Sequence, residues 1–233
     1  MTGPDGEADA AAAEPAREPA TDAAAAEPAR TGGAAAEPAP DAERAPAGEA
    51  SRLIPGFAPE NELEARVAAD PELLAGLAWG EPREAHPEGA VGNHVAQLLE
   101  VIDADDDAGA LRADLRFVAL VHDSFKYRVR NWLPRHGRNH HASRARRFAE
   151  RYTDDERLLA TIELHDRPYH LWKRMKRKGE LDRDAFEDML RRVPDHDLFQ
   201  RFIEVDGASE AKNPEPIRWL RGELEQRGLL TAA

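Results

Sequence analysis

From Val91 onward, apolar residues recur with the three-to-four-residue spacing of helices and not with the two-residue alternation of strands. Val91, Val95, Leu98, Val101 and Ile102 define one apolar face. The segment Leu111 to His122 starts amphipathic and becomes apolar all round, the pattern of a helix that enters a core. Further helices are predicted over 142–151, 154–165, 182–191, 198–205 and 214–226. Punctuation agrees with them: Asp154-Asp155-Glu156 reads as an acidic first turn, and Asn213-Pro214 as a cap with proline at the start of a helix. Pro168 is read as a break after His165-Asp166, and Gly228 as the end of the last helix. No run of alternating β-branched residues occurs, so residues 52–233 are expected to form an all-α domain.

The first fifty residues have a different pattern. The unit Ala-Ala-Ala-Glu-Pro-Ala recurs at residues 11–16, 24–29 and 34–39, and almost no large apolar side chain precedes Leu53. Such a stretch buries too little surface to offset its ordering entropy, and its prolines interrupt each alanine run before a stable helix length is reached. Residues 1–51 are therefore expected to be a disordered acidic tail. Residues 1–50 carry 11 Asp and Glu against 3 Arg, a net of −8, which leaves −5 of the total −13 for the remainder. Cysteine is absent, which excludes disulfides, thiolate metal sites and cysteine nucleophiles. No apolar run approaches the roughly 18 residues that span a bilayer, and the first ten residues are acidic where a signal peptide is basic, then apolar. A soluble cytoplasmic protein is expected.

The 9 histidines all fall between His86 and His196. Four form the ordered series His94, His122-Asp123, His140 and His165, with Asp206 on a later segment. Imidazoles plus carboxylates suit a mixed nitrogen and oxygen site for a divalent transition metal. The apolar stretch Phe117 to Val121 delivers His122 and Asp123 to the interior end of a helix, where an ionised Asp is costly without a compensating cation. Alternatively, His122 caps that helix and Asp123 caps the next segment. The remaining members favour a metal, because several helices each offering one ligand is how metal sites in bundle cores are assembled.

The order H…HD…H…H…D, with His122-Asp123-Ser124-Phe125-Lys126 in the form HDxxK, resembles the HD-domain superfamily of metal-dependent phosphohydrolases. A closer likeness is to the HD domain of bacterial CCA-adding tRNA nucleotidyltransferases. Their HPEGDxxxH segment is matched by His86-Pro87-Glu88-Gly89 leading to His94, and their LPRHxGHE segment by Leu133-Pro134-Arg135-His136 leading to His140. The likeness covers roughly residues 84–210 and is loose after His140. Nothing resembles the nucleotidyltransferase head, so nucleotide addition is not implied. Asn139-His140-His141 stands where the family has GHE, which leaves both histidines as candidates for the ligand's place, with His140 keeping the family spacing from His122. The resemblance implies an HD-like helical bundle in which His94, His122, Asp123 and Asp206 hold one ion (Mn, Fe, Ni, Co or Zn). Where a second ion is present, it implies that Asp123 bridges and that His140 and His165 complete the set. The implied chemistry is hydrolysis by metal-activated water, with Asp123 and Lys126 as catalytic residues and Lys126 meeting a phosphate. Asp166 is placed to orient a ligand or to cap a turn. His86, His136, His170 and His196 read as packing, rim or surface residues.

Positive charge gathers around the same residues: Arg128, Arg130, Arg135, Arg138, Arg144, Arg146 and Arg147, then a run from Lys173 to Lys178 preceded by Tyr169 and Trp172. Such a rim draws an anion, and an aromatic beside it can stack on a base; otherwise it is a solvated helix face. These features support two function classes. One is a phosphohydrolase acting on a phosphomonoester or phosphodiester of a nucleotide or similar small anion. The other is a regulatory module that binds a nucleotide or RNA around a structural metal. Nucleic acid is a possible partner, a membrane is not expected, and the oligomeric state is not legible.

Overall fold

Leu115 to Val121 is the most apolar stretch of the chain, and every one of its side chains is buried. The computed structural model describes residues 48–82, 87–208 and 213–231. In chain order the helices are α1 (Ala50–Leu53), α2 (Glu62–Ala68), α3 (Pro71–Leu77), α4 (Val91–Asp103) and α5 (Arg112–Val121). Then come α6 (His141–Ala149), α7 (Glu156–Leu164), α8 (Arg167–Lys178), α9 (Arg183–Arg192), α10 (His196–Asp206) and α11 (Glu215–Gln226). Short 3-10 turns cover Asp106–Leu111, Lys126–Arg128 and Gly137–Asn139, and no strand occurs among the described residues. The all-α expectation holds. The tail up to residue 47 and His86 lie outside the described residues; α1 opens at Ala50, already fully buried, inside the stretch assigned to the tail.

Central helix α5 packs against α2, α4, α7 and α10. Two apolar clusters result. The larger gathers α1 to α5 with Phe148, Leu158, Ile162, Leu198 and Phe202; the smaller joins Leu171, Phe186, Met189, Phe199, Leu220 and Leu224. Helices α7 and α10 contribute to both, Leu158 and Leu198 to the first, Leu164 and Phe199 to the second. Each of these large buried side chains contributes roughly 1.5–3 kcal/mol of transfer free energy. Fixed from both sides, α7 and α10 hold their C-terminal residues firmly, and those ends carry His165 and Asp206.

Local chemistry explains the boundaries. Asn61 Oδ1 accepts from the Glu64 amide at 2.9 Å, and Glu64 Oε2 accepts from the Glu60 amide at 2.9 Å, a reciprocal cap on α2. Glu64, fully buried, also takes both ends of the buried Arg116 guanidinium at 3.0 and 3.1 Å, which ties α2 to α5. Asp155 caps α7 and Asn213 accepts from the Glu215 amide at the start of α11. Pro168 does not end the helical region: it sits in the first turn of α8, where a missing N–H costs nothing, so the break spans only His165 and Asp166. Gly179, at φ +82°, closes α8.

Candidate metal centre

The apolar run of α5 stops at His122, whose Nδ1 donates to the Ala119 carbonyl at 3.0 Å. This bond fixes the ring and leaves Nε2 aimed away from the helix. His165, at the end of α7, repeats the arrangement, its Nδ1 donating to Ile162 O at 2.9 Å. The two rings meet edge to face at 5.0 Å, and Phe202 packs on His122 at 5.2 Å. Backbone carbonyls thus orient two buried imidazoles independently of any ligand.

The turn after α5 is pinned as well. Ser124 Oγ donates to Leu120 O at 2.8 Å. On its other side the Ser124 carbonyl lies so close to Gly76 of α3 that a Cβ there would stand 1.7 Å from it. Glycine is required because backbone meets backbone. Asp123 is held between these anchors, 6 % exposed, and its two oxygens face different partners. Oδ2 faces His122 Nε2 at 3.5 Å and accepts from Lys126 Nζ; Oδ1 faces His141 Nε2 at 3.2 Å and His165 Nε2 at 3.6 Å. On the far side of His122, His94 Nε2 of α4 lies 3.0 Å from Asp206 Oδ1, which stands 3.8 Å from His122 Nε2.

Of the residues singled out from sequence, the structure therefore brings His94, His122, Asp123, Lys126, His165 and Asp206 together. His140 is displaced by one position. It is the extended residue before α6, and its Nε2 turns to Asp166 Oδ2 at 3.2 Å, whereas His141, the first residue of α6, reaches Asp123 and lies 3.4 Å from His165 Nε2. Asp166 is ringed further by His141 at 3.8 Å and His170 at 3.6 Å. Sequence reasoning leaves His170 out of the site, although its place four residues beyond Asp166 on one helix is the available signal.

Three overlapping groups have the spacing to hold an ion: His94, His122 and Asp123; Asp123, His141 and His165; and His140, His141 and Asp166. The donor chemistry fits a transition metal. Two atoms at the centre of the set, His122 Nε2 and Asp123 Oδ1, are buried without a hydrogen bond, although His141 Nε2 comes within 3.2 Å of Oδ1. A shared cation would satisfy both, and Asp166 Oδ1 in the adjoining group is orphaned in the same way.

Electrostatics agree. Burial raises the Asp123 carboxyl, but Lys126 and His122 outweigh it and hold the group well below the usual carboxylate range. Burial pushes His122 and His141 down, toward the neutral form that ligates. Burial also opposes charge on His165, yet Asp123, Asp166 and Asp206 overcome it and lift the pKa to about 9. The middle of the cluster is closed, with His122 fully buried, while its ends reach solvent: a hollow of about 610 Å³ opens at His94 and Asp206 beside Val101 and Val205. At the other end the His140 and Asp166 side chains are about a fifth exposed.

No family model matches the chain, and no curated protein or solved structure matches it. Among the described residues, no helix is long and apolar enough to cross a membrane.

Proposed function

We propose that this protein is a metal-dependent phosphohydrolase of the HD-domain type, acting on a phosphomonoester or phosphodiester of a nucleotide or a similar small anion in the cytoplasm. The observation that carries the reading is Asp123, whose two oxygens face two separate imidazole groups. His94, His122, Asp123 and Asp206 would hold one ion; Asp123, His141 and His165 would hold another. A structural site closes its coordination with four ligands, and a surplus of oriented imidazoles around a shared carboxylate suits an open, reactive centre better.

An ion held here, from among Mn, Fe, Ni, Co and Zn, would supply a water acidified toward neutrality and a Lewis acid for the phosphoryl oxygens. The protein supplies the rest. His122 and His165 are kept rigid by Ala119 and Ile162 carbonyls, so the lone pairs need no reorganisation. Lys126 lies at the edge of the cluster with its ammonium partly exposed, where it offers positive charge to a phosphoryl oxygen that gains charge in the transition state. The test is hydrolysis of nucleotide mono-, di- and cyclic phosphates by the metal-loaded protein. Activity abolished by EDTA and by Asp123→Ala supports the reading; metal and nucleotide binding without turnover would point to a regulatory module.

A further inference from the structure

About half of the guanidinium and ammonium groups in the described residues lie within salt-bridge distance of a carboxylate. On α8, Arg174 bonds Asp182 at 2.7 Å and Lys176 lies 3.5 Å from Glu215. Lys173 and Arg177 of the same helix are exposed and have no carboxylate partner among the described residues. Their position is what matters. His170, Lys173 and Arg177 come four, seven and eleven residues after Asp166, which places them on one helical face that starts at the candidate centre. Contact between His170 Nε2 and Asp166 Oδ2, at 3.6 Å, anchors the near end of that face.

Aromatic surface accompanies the charge. Tyr169 is 44 % exposed, stacks with Trp172 at 6.4 Å and carries Lys173 Nζ over its ring at 5.6 Å. Across the His140 to Asp166 contact, the loop before α6 adds Arg130 and Arg138, likewise without carboxylate partners among the described residues, and Trp132, 77 % exposed with Arg130 above its ring. The His140 to Asp166 contact joins the end of this loop to the start of α8, so both cation-bearing segments adjoin the histidine and aspartate cluster.

We infer that the face of α8 running from Asp166 to Arg177, with the loop that carries Trp132, binds a single-stranded oligonucleotide whose scissile phosphate enters the histidine and aspartate cluster. The inference rests on the phosphohydrolase reading for that last clause only. Eleven residues of helix extend about 16 Å, more than one nucleotide needs, since the phosphates of a strand in duplex DNA advance about 3.4 Å each. Unpaired cations take the backbone, and exposed aromatics give each base a face to stack on without fixing its identity. A mononucleotide would leave the distal cations and Trp132 unused.

The experiment is fluorescence anisotropy of the full-length, EDTA-treated protein with a labelled single strand of about 12 nucleotides, the size range of such sites. Binding should be at least about tenfold tighter than competition by a mononucleotide shows, and its logarithm should fall with log salt by about 0.7 per phosphate contacted. Lys173→Glu with Arg177→Glu should weaken it about tenfold or more and flatten that slope, and Tyr169→Ala, a separate exposed change, should weaken it about fivefold to a hundredfold. Equal affinity for strand and mononucleotide, equally good competition by polyglutamate of matched charge, or indifference to both variants in folded protein would overturn the inference. Strand binding by the metal-free protein, together with a complete lack of hydrolysis once metal is restored, would sink only the phosphohydrolase reading. Hydrolysis of mononucleotides with no preference for the strand would sink only this one.

Discussion

Asp123 Oδ1 lies 3.2 Å from His141 Nε2, while the neighbouring His140 turns its own Nε2 to Asp166 at the same distance. Adjacent histidines thus serve different carboxylates. His141→Ala should remove about one of two bound ions per chain and His140→Ala should spare both, whereas Asp123→Ala should lose most of the metal, since it faces both imidazole groups. Elemental analysis of the three variants after metal loading checks this. Equal content in His141→Ala and the parent would contradict the assignment.

Lys126 bonds Asp123 Oδ2 and is partly exposed. Lys126→Ala is expected to retain metal and lower kcat/KM by about ten- to a thousandfold, as the loss of one electrostatic contact to the transition state does. Metal content and turnover measured on the same sample separate this from loss of the ion. A variant that loses both together would make Lys126 a support for Asp123 instead.

The helical pattern is readable from the sequence wherever apolar spacing runs for three turns, as in α4, α5, α7 and α10. It fails at α8. There only Pro168 and Leu171 are buried, so the apolar stripe is too thin to register, and Pro168 reads as a stop although it begins the helix. The pattern also passes over α2 and α3, seven residues each, whose limits are set by Asn61 and Asp70 caps. At the site, the order of His94, His122, Asp123, His165 and Asp206 is legible because each lies at a predicted helix face or end. The choice between His140 and His141 is not, because it depends on which residue first turns helical, a single φ/ψ step that spacing does not encode.

Gly76 allows α3 to touch the backbone of the turn that presents Asp123. Gly76→Ala should destabilise the fold by about 1–3 kcal/mol or more, because the obstacle is a carbonyl and not a flexible side chain. It should also weaken metal binding. Gly222, with open space at its Cβ, is the control: Gly222→Ala within α11 should leave stability unchanged or slightly raised. Denaturant unfolding of the two variants makes the comparison.

Glu64 and Arg116 form a buried pair between α2 and α5. Removing the acid alone, as in Glu64→Ala, takes away the buried partner of the guanidinium, leaving it Asp103, Glu60 and the Ala58 carbonyl, and should cost up to about 3–5 kcal/mol. Replacing both residues with apolar ones of similar volume should recover much of that loss. A Glu64→Ala protein as stable as the parent would show that Arg116 is satisfied elsewhere.

Two carboxylates away from the cluster add acid sensitivity. The Arg112 hydrogen bond holds Glu60 below its ordinary range against a burial effect, and Asp155 is held low by Arg157 although burial raises it. A carboxyl depressed in the folded state stabilises above its unfolded pKa, about 3.9 for Asp and 4.3 for Glu, and that contribution disappears as pH falls through the folded value. Glu60 is exposed and Asp155 partly so, and solvent screening keeps the effect modest. Tm should decline on acidification below about pH 4, and less steeply in Arg112→Ala.

Centrally, the buried histidine and aspartate cluster is proposed to hydrolyse a phosphoester through a bound divalent ion. Phosphate or phosphodiester product measured from metal-loaded protein against mono-, di- and cyclic nucleotides tests this most directly. Turnover of at least one substrate, abolished by EDTA and restored by Mn, Fe, Ni, Co or Zn, is the predicted result. Protein that carries its full complement of metal and yet releases no product from any of them would contradict it.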